Sequence, residues 1–360
     1  MHSFADIPEH IRRAITPQMR NVIEHQLDRL ARQGAAGSAA AHHAEAESQA
    51  VRPNGAGDPG PLIAAARREY LDERAFWNEG GPKMYATREL HFDAAGTSVP
   101  ARMYRPSSAE ILPAIIYFHG GGFMLGNLDS HDRIARAFAA ASGAAVVAVD
   151  YSLAPEAPFP QALLECAGVT AQLALHGDRL GVDSERLVVA GDSAGAALAL
   201  GATLLLRDEP SRVPEAAAST DRVLASLQAM LLYYGGYGLE ASPARDTFGG
   251  FWDGLSPDDL SLMHETYLIE PSDRESPYND PLSADLAAPL PPALLIGAEL
   301  DPLRDDTVRL GQRLAAAGHD VEWLIVPGVL HSFLHFGRML DEAVAAIDGG
   351  ARFARERLGR

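Results

Sequence analysis

Cysteine is almost missing from this chain: Cys166 is its one thiol in 360 residues. No disulfide can form within it, which suits a reducing compartment. Cys166 sits in the apolar run Ala162-Leu163-Leu164-Glu165-Cys166-Ala167, where it reads as a small core residue rather than a nucleophile. Basic charge is also short, with 30 Lys and Arg against 48 Asp and Glu and a formal charge of −18. Such a surface repels phosphate backbones and anionic headgroups, so nucleic acid and membrane are not expected partners. Charges, Gly or Pro interrupt each apolar run before it could span a bilayer. The opening Met1-His2-Ser3-Phe4-Ala5-Asp6 lacks the basic end and apolar stretch of a signal peptide. The expectation is a soluble, cytoplasmic protein. A hydrophobic fraction of 47% is enough to fill a large interior and excludes disorder or a fibrous fold.

Residues 1–85 read as helical. Thr16-Pro17 is a helix start, and Met19, Val22, Ile23, Leu27 and Leu30 follow at helical spacing until Gly34. Residues 34–60 are rich in Ala, Gly, Ser and polar residues, with Pro53 and Pro59, and read as a flexible linker; His42-His43 within it reads as solvated rather than metal-binding. A second amphipathic stretch runs from Leu62 to Trp77. From Thr87 the pattern becomes β: Arg88–Phe92 and Val99–Tyr104 flank a turn at Ala95-Gly96, as in an antiparallel hairpin. Five apolar runs follow, at Ala114–Phe118, Ala144–Val149, Leu187–Ala190, Ser226–Tyr233 and Ala293–Gly297. Helical patterns separate most of them, and Val321–Val326 and Phe336–Leu358 close the chain as strand and helix. This alternation predicts an α/β fold, a mostly parallel sheet covered on both faces. The exception is 235–275, a helical insertion between strands that begins one helix at Ser256-Pro257-Asp258. The expected organisation is a cap from 1–85 and 235–275 over a core of 86–234 and 276–360.

Gly191-Asp192-Ser193-Ala194-Gly195 stands between a strand and a helix. A sharp strand-to-helix turn pushes a serine side chain out of the backbone plane, and the helix N-terminus favours developing negative charge there. His119-Gly120-Gly121-Gly122 follows another strand, and successive glycines leave backbone N–H groups open to an oxyanion. His119 and Gly120 read as supports of that loop. An acid and a base must follow the serine. Asp301 lies just past the strand Ala293–Gly297, with Glu299 as rival and Asp305 and Asp306 inside the next helix pattern. His331 lies in the loop leaving the last strand and is the expected base. His335, four residues on, superficially suggests a metal pair, but no HExxH or cysteine cluster accompanies it, and no metal or organic cofactor is expected.

These segments together resemble the hormone-sensitive-lipase-like branch of the α/β-hydrolases, bacterial acetyl esterases in particular. The resemblance rests on His119–Phe123, Gly126–Arg133, Tyr151–Glu156, Gly191–Gly195, Ala298–Leu303 and Leu330–Phe333, with Phe76-Trp77-Asn78 and Phe251–Leu255 in the lid. It covers the chain from about residue 65 onward. It implies an α/β-hydrolase fold with a helical cap, Ser193 as nucleophile, His331 as base and Asp301 as orienting acid. Gly121, Gly122 and Ala194 are implied as oxyanion donors. Many members carry Arg where this chain has Ser152, so an ion pair made by that arginine is absent here. The implied reaction is hydrolysis of a small ester through an acyl-enzyme. Trp77, Phe251 and Trp252 are candidates for closing a short acyl pocket, or equally for packing the lid itself. The alternatives are an amidase or lactonase on the same triad, or a binding protein on a hydrolase scaffold.

Overall fold

The computed structural model describes residues 2–35 and 60–359. Most of the expected linker, with His42 and His43, lies outside the described residues. Helices α1 (Glu9–Ala14), α2 (Pro17–Ala35) and α3 (Gly60–Asn78) precede the sheet. Thr16 starts α2 as its sequence implies, its Oγ1 accepting from Met19 N at 3.2 Å. The hairpin β1 (Ala86–Ala94) and β2 (Thr97–Arg105) turns at Ala95 and Gly96, both at positive φ.

Then follow β3 (Leu112–Phe118), α4 (Asp132–Ser142), β4 (Ala145–Val149), α5 (Gln161–His176), β5 (Val182–Asp192) and α6 (Ala194–Asp208). Next come α7 (Thr220–Ser226), β6 (Leu227–Tyr233), and the short helices α8 (Pro243–Thr247), α9 (Pro257–Tyr267) and α10 (Pro271–Arg274). Strand β7 (Ala293–Leu300), α11 (Arg304–Ala316), β8 (Val321–Leu330) and α12 (Asp341–Leu358) complete the chain. Ser256 caps α9, accepting from Asp259 N while the Asp259 carboxylate accepts from Ser256 N.

The strands form one sheet in the order β1-β2-β4-β3-β5-β6-β7-β8. The pairs β1/β2 and β2/β4 are antiparallel, and every other pair is parallel. Successive side chains of a strand point to opposite faces, so the sheet builds two cores. Ile116, Phe118 and Val189 meet α5, α6 and α11 on one face. Ile115, Tyr117 and Val188 meet α4 and α12 on the other, joined by Ile11, Met19 and Val22 of the first two helices. All parallel strands point the same way, so the loops after β3, β5, β7 and β8 collect at one edge. That edge is where open α/β sheets bind ligands. Among the described residues no helix is long and apolar enough to cross a membrane.

Candidate active site

Strand β5 ends at Asp192, and Ser193 follows with φ +53°. A non-glycine residue there carries strain of about 1–3 kcal/mol, and the surroundings hold it in place. Ser193 N donates to Tyr233 O at 2.8 Å, and α6 begins at the next residue. The glycines on either side are required by crowding. A Cβ on Gly195 would collide with the carbonyl of Phe118, and one on Gly191 with the carbonyl of Gly195.

His331 follows β8 and reaches back over the turn. Its Nε2 lies 2.9 Å from Ser193 Oγ and its Nδ1 lies 2.8 Å from Asp301 Oδ2. Asp301 is fully buried, and its Oδ1 accepts from Leu303 N at 2.7 Å. That bond orients the carboxylate, which fixes the imidazole with Nδ1–H toward Asp301 and a lone pair toward the serine. Burial alone would lower the His331 pKa, but the Asp301 carboxylate outweighs it and holds the imidazole above its ordinary value.

The rival acids point elsewhere. Glu299 accepts from Gly328 N at 2.7 Å. Asp305 accepts from Ala244 N, and Asp306 from Tyr237 N and Leu239 N. His335 does not pair with His331; its ring sits edge-on against His131, 4.5 Å between centroids.

The glycine loop after β3 faces the same turn. Gly121 has φ +127° and lies so close to Leu125 O that no Cβ would fit. Gly122 has φ +60° and lies under the Met263 thioether. Ala194, the first residue of α6, is buried beside Ser193. His119 holds the loop from behind: its Nδ1 lies 2.9 Å from Gly120 O, its ring stacks on Tyr151, and its carbonyl accepts from Tyr151 Oη at 2.6 Å. Burial pushes the His119 pKa down to about 3, so it stays neutral.

Sequence reasoning passed over Asp192. Its Oδ1 accepts from Gly120 N at 3.0 Å and from Tyr117 Oη at 2.7 Å, tying the glycine loop to the serine turn. Burial alone would raise its pKa, but His131 and Tyr117 hold it below the ordinary carboxylate value. Among the described residues, His131, Asp192 and His335 bring metal-ligand atoms within 4.8 Å of one another. Asp192 Oδ1 is already committed to two donors there, so the group reads as packing and polar ties rather than a metal centre.

Two cavities meet at this point, and Met263 of α9 lines both. One, of about 630 Å³, is bounded by Gly122, Ser193 and Ala194. The other, of about 390 Å³, is bounded by His331, Phe251 and Trp252. Phe251 and Trp252, expected to close an acyl pocket, line the cavity beside His331 rather than the one beside Ser193. Trp77 lines neither. It is 2% exposed and packs against Phe76 and Phe336 because its face of α3 turns into the core. Tyr70 and Arg74, one turn apart on α3, line the second cavity instead; that i, i+4 pair was the available signal.

Known proteins share this architecture. A family model described as the alpha/beta hydrolase fold matches residues 115–335. The acetyl esterase of Salmonella choleraesuis (strain SC-B67) is 42% identical over 296 residues, 82% of this chain and 88% of that protein. A Pyrobaculum calidifontis esterase superposes with TM-score 0.74 and 33% identity, covering 82% of this chain and 93% of its own. An ester-hydrolase from the metagenome of Lake Arreo superposes with TM-score 0.79 and 28% identity over 96% of this chain and 100% of its own. With the sheet order, the strained serine turn and this extent of likeness in agreement, the chain belongs to the α/β-hydrolase fold family.

Proposed function

We propose that the protein is a serine carboxylesterase that hydrolyses short-chain, acetyl-type esters. The observation that carries this is the unbroken run from Asp301 through His331 to Ser193, with contacts of 2.8 and 2.9 Å, opening onto glycine amides. In this reading His331 takes the Ser193 proton as Oγ attacks the ester carbonyl. Gly121, Gly122 and Ala194 N–H groups receive the oxyanion. Asp301 holds the imidazole tautomer and stabilises its charged form. His331 then protonates the departing alcohol, and finally activates water to release the acid.

The histidine that protonates the leaving oxygen must stand beside it, which assigns the alcohol to the His331 cavity and the acyl group to the Ser193 cavity. The acyl side also carries Arg245, His264, Arg274 and Asp280. A long alkyl chain would strip water from those groups, which favours a short acyl. The reading is further supported by the likeness to acetyl esterases and esterases. It includes a cap from 1–85 and 235–275, and a cytoplasmic location in keeping with a lone buried thiol, Cys166.

A fluorophosphonate probe should label native protein and not Ser193→Ala, whose kcat should drop by roughly 10⁴–10⁶. kcat/KM should fall from p-nitrophenyl acetate to the decanoate. An unlabelled native protein would overturn the enzyme reading, and a preference for the decanoate would overturn the short-acyl part.

A further inference from the structure

The cavity beside His331 carries polar atoms for which ester cleavage has no use. Among the described residues, Arg29 Nε and Nη1, Arg74 Nε, Trp252 Nε1 and Asp253 Oδ2 are buried and have no hydrogen-bond partner. All four residues line this one cavity. The set comprises four donors and one acceptor. Arg74 is 7% exposed, with its guanidinium 4.6 Å over the Tyr70 ring and Nη1 3.3 Å from Glu73 Oε1. Unpaired buried polar groups are costly and scarce in folded proteins. Several on the residues that wall one hollow next to the reacting histidine mark a place where a ligand supplies oxygens.

The charge balance narrows the ligand. Arg29 and Arg74 share the lining with Glu69, Glu73 and Asp253, so no surplus of positive charge selects an anion. Trp252 and Tyr70 offer flat apolar faces among these polar atoms. Hydroxyl groups both accept and donate, and a saturated ring presents C–H faces to aromatic walls. The volume of about 390 Å³ lies within the range of small-ligand pockets, roughly 300–1,000 Å³.

We propose that this cavity receives the alcohol half of the substrate and that this alcohol is a neutral polyhydroxylated ring of the sugar type, its oxygens pairing with Arg29, Arg74, Trp252 and Asp253. The proposal rests on the esterase reading and names the substrate class of that same site.

The test uses two acetates matched in shape, methyl 6-O-acetyl-glucopyranoside and cyclohexylmethyl acetate, followed by acetate release from the full chain. The sugar ester should be preferred in kcat/KM by about tenfold or more. Arg74→Met should cut that preference roughly tenfold, because a site built to pair hydroxyls discriminates through them. Trp252→Phe keeps a smaller aromatic wall and removes the indole N–H; it should cut the preference in the same direction and serves should Arg74→Met fail to fold. Equal use of the two acetates by native protein, or a preference untouched in Trp252→Phe, overturns the proposal. Cleavage of p-nitrophenyl acetate without discrimination sinks this proposal alone. No cleavage of any acetate sinks the esterase reading beneath it.

Discussion

At the scale of single residues, the proposed reaction makes the basicity of His331 decide when the site works. A general base must be neutral to accept a proton, so kcat/KM is lost as pH falls through the imidazole pKa. Burial would push that pKa down, yet Asp301 at 2.8 Å holds it above the ordinary 6.5. The acid limb of kcat/KM should therefore lie above 6.5. In Asp301→Asn the raising charge is gone and burial remains, so the limb should move to lower pH while the plateau drops by about 10⁴ through the wrong tautomer. A pH–rate profile reads both effects, and a limb that stays put would reject Asp301 as the partner. Glu299→Gln should leave the profile in place, since its carboxylate serves Gly328 N.

That Ser193, His331 and Asp301 come together was legible because the proposed chemistry demands such a set at strand ends in a fixed order. The choice of Asp301 over Glu299 depends on side-chain direction after a bulged strand end, which no spacing reveals. Arg74 and Asp253 were not legible, because an unpaired donor exists only relative to neighbours distant in sequence. Ser152 is instructive: its N and Oγ both donate to the fully buried Glu165, which also accepts from Gln161. Neutral donors thus satisfy a carboxylate without an arginine at that position.

At the scale of elements, helix α3 is more than a cover. Arg67 forms a forked pair with Glu156, at 2.6 and 2.8 Å, and also donates to Met124 O and Ala154 O. Ala154 N in turn donates to Phe123 O at 2.9 Å, next to Gly121 and Gly122, the proposed oxyanion donors. One side chain therefore staples α3 to the back of the loop that, in the proposed reaction, must hold still. Arg67→Met keeps the stem and removes four hydrogen bonds, and should destabilise by about 1–3 kcal/mol in denaturant titration. Its kcat should fall more than its KM rises, because loose oxyanion donors are felt in the transition state. A loss confined to stability would reject the coupling.

Element existence was largely readable from apolar runs, as the hairpin and the parallel strands show. Strand β5 begins at Val182, further back than its apolar run, because Asp183, Ser184 and Glu185 break the hydrophobic signal, and its pairing with β3 shifts register between Val182 and Leu187. The exchange of β3 and β4 in the sheet order was not readable, since strand adjacency depends on which face each crossover helix takes.

At the scale of the whole molecule, the formal charge of −18 acts on a charged substrate before any contact forms. The site itself mixes signs, with Arg245, Arg274 and Asp280 around the Ser193 cavity and Arg74 and Glu73 around the His331 cavity, so the distant excess supplies the long-range field. That field is felt by charged esters and not by neutral ones, and salt screens it over about 10 Å at 0.1 M. For a monoanionic ester such as an acetylated hydroxy acid, kcat/KM should therefore rise severalfold between about 10 mM and 200 mM salt. A neutral acetate of the same size should change little over that range, which separates screening from any general effect of salt on the fold. An anionic ester slowed by salt would mean that the arginines of the two cavities outweigh the surface, and that the site recruits anions despite the charge of the molecule around it.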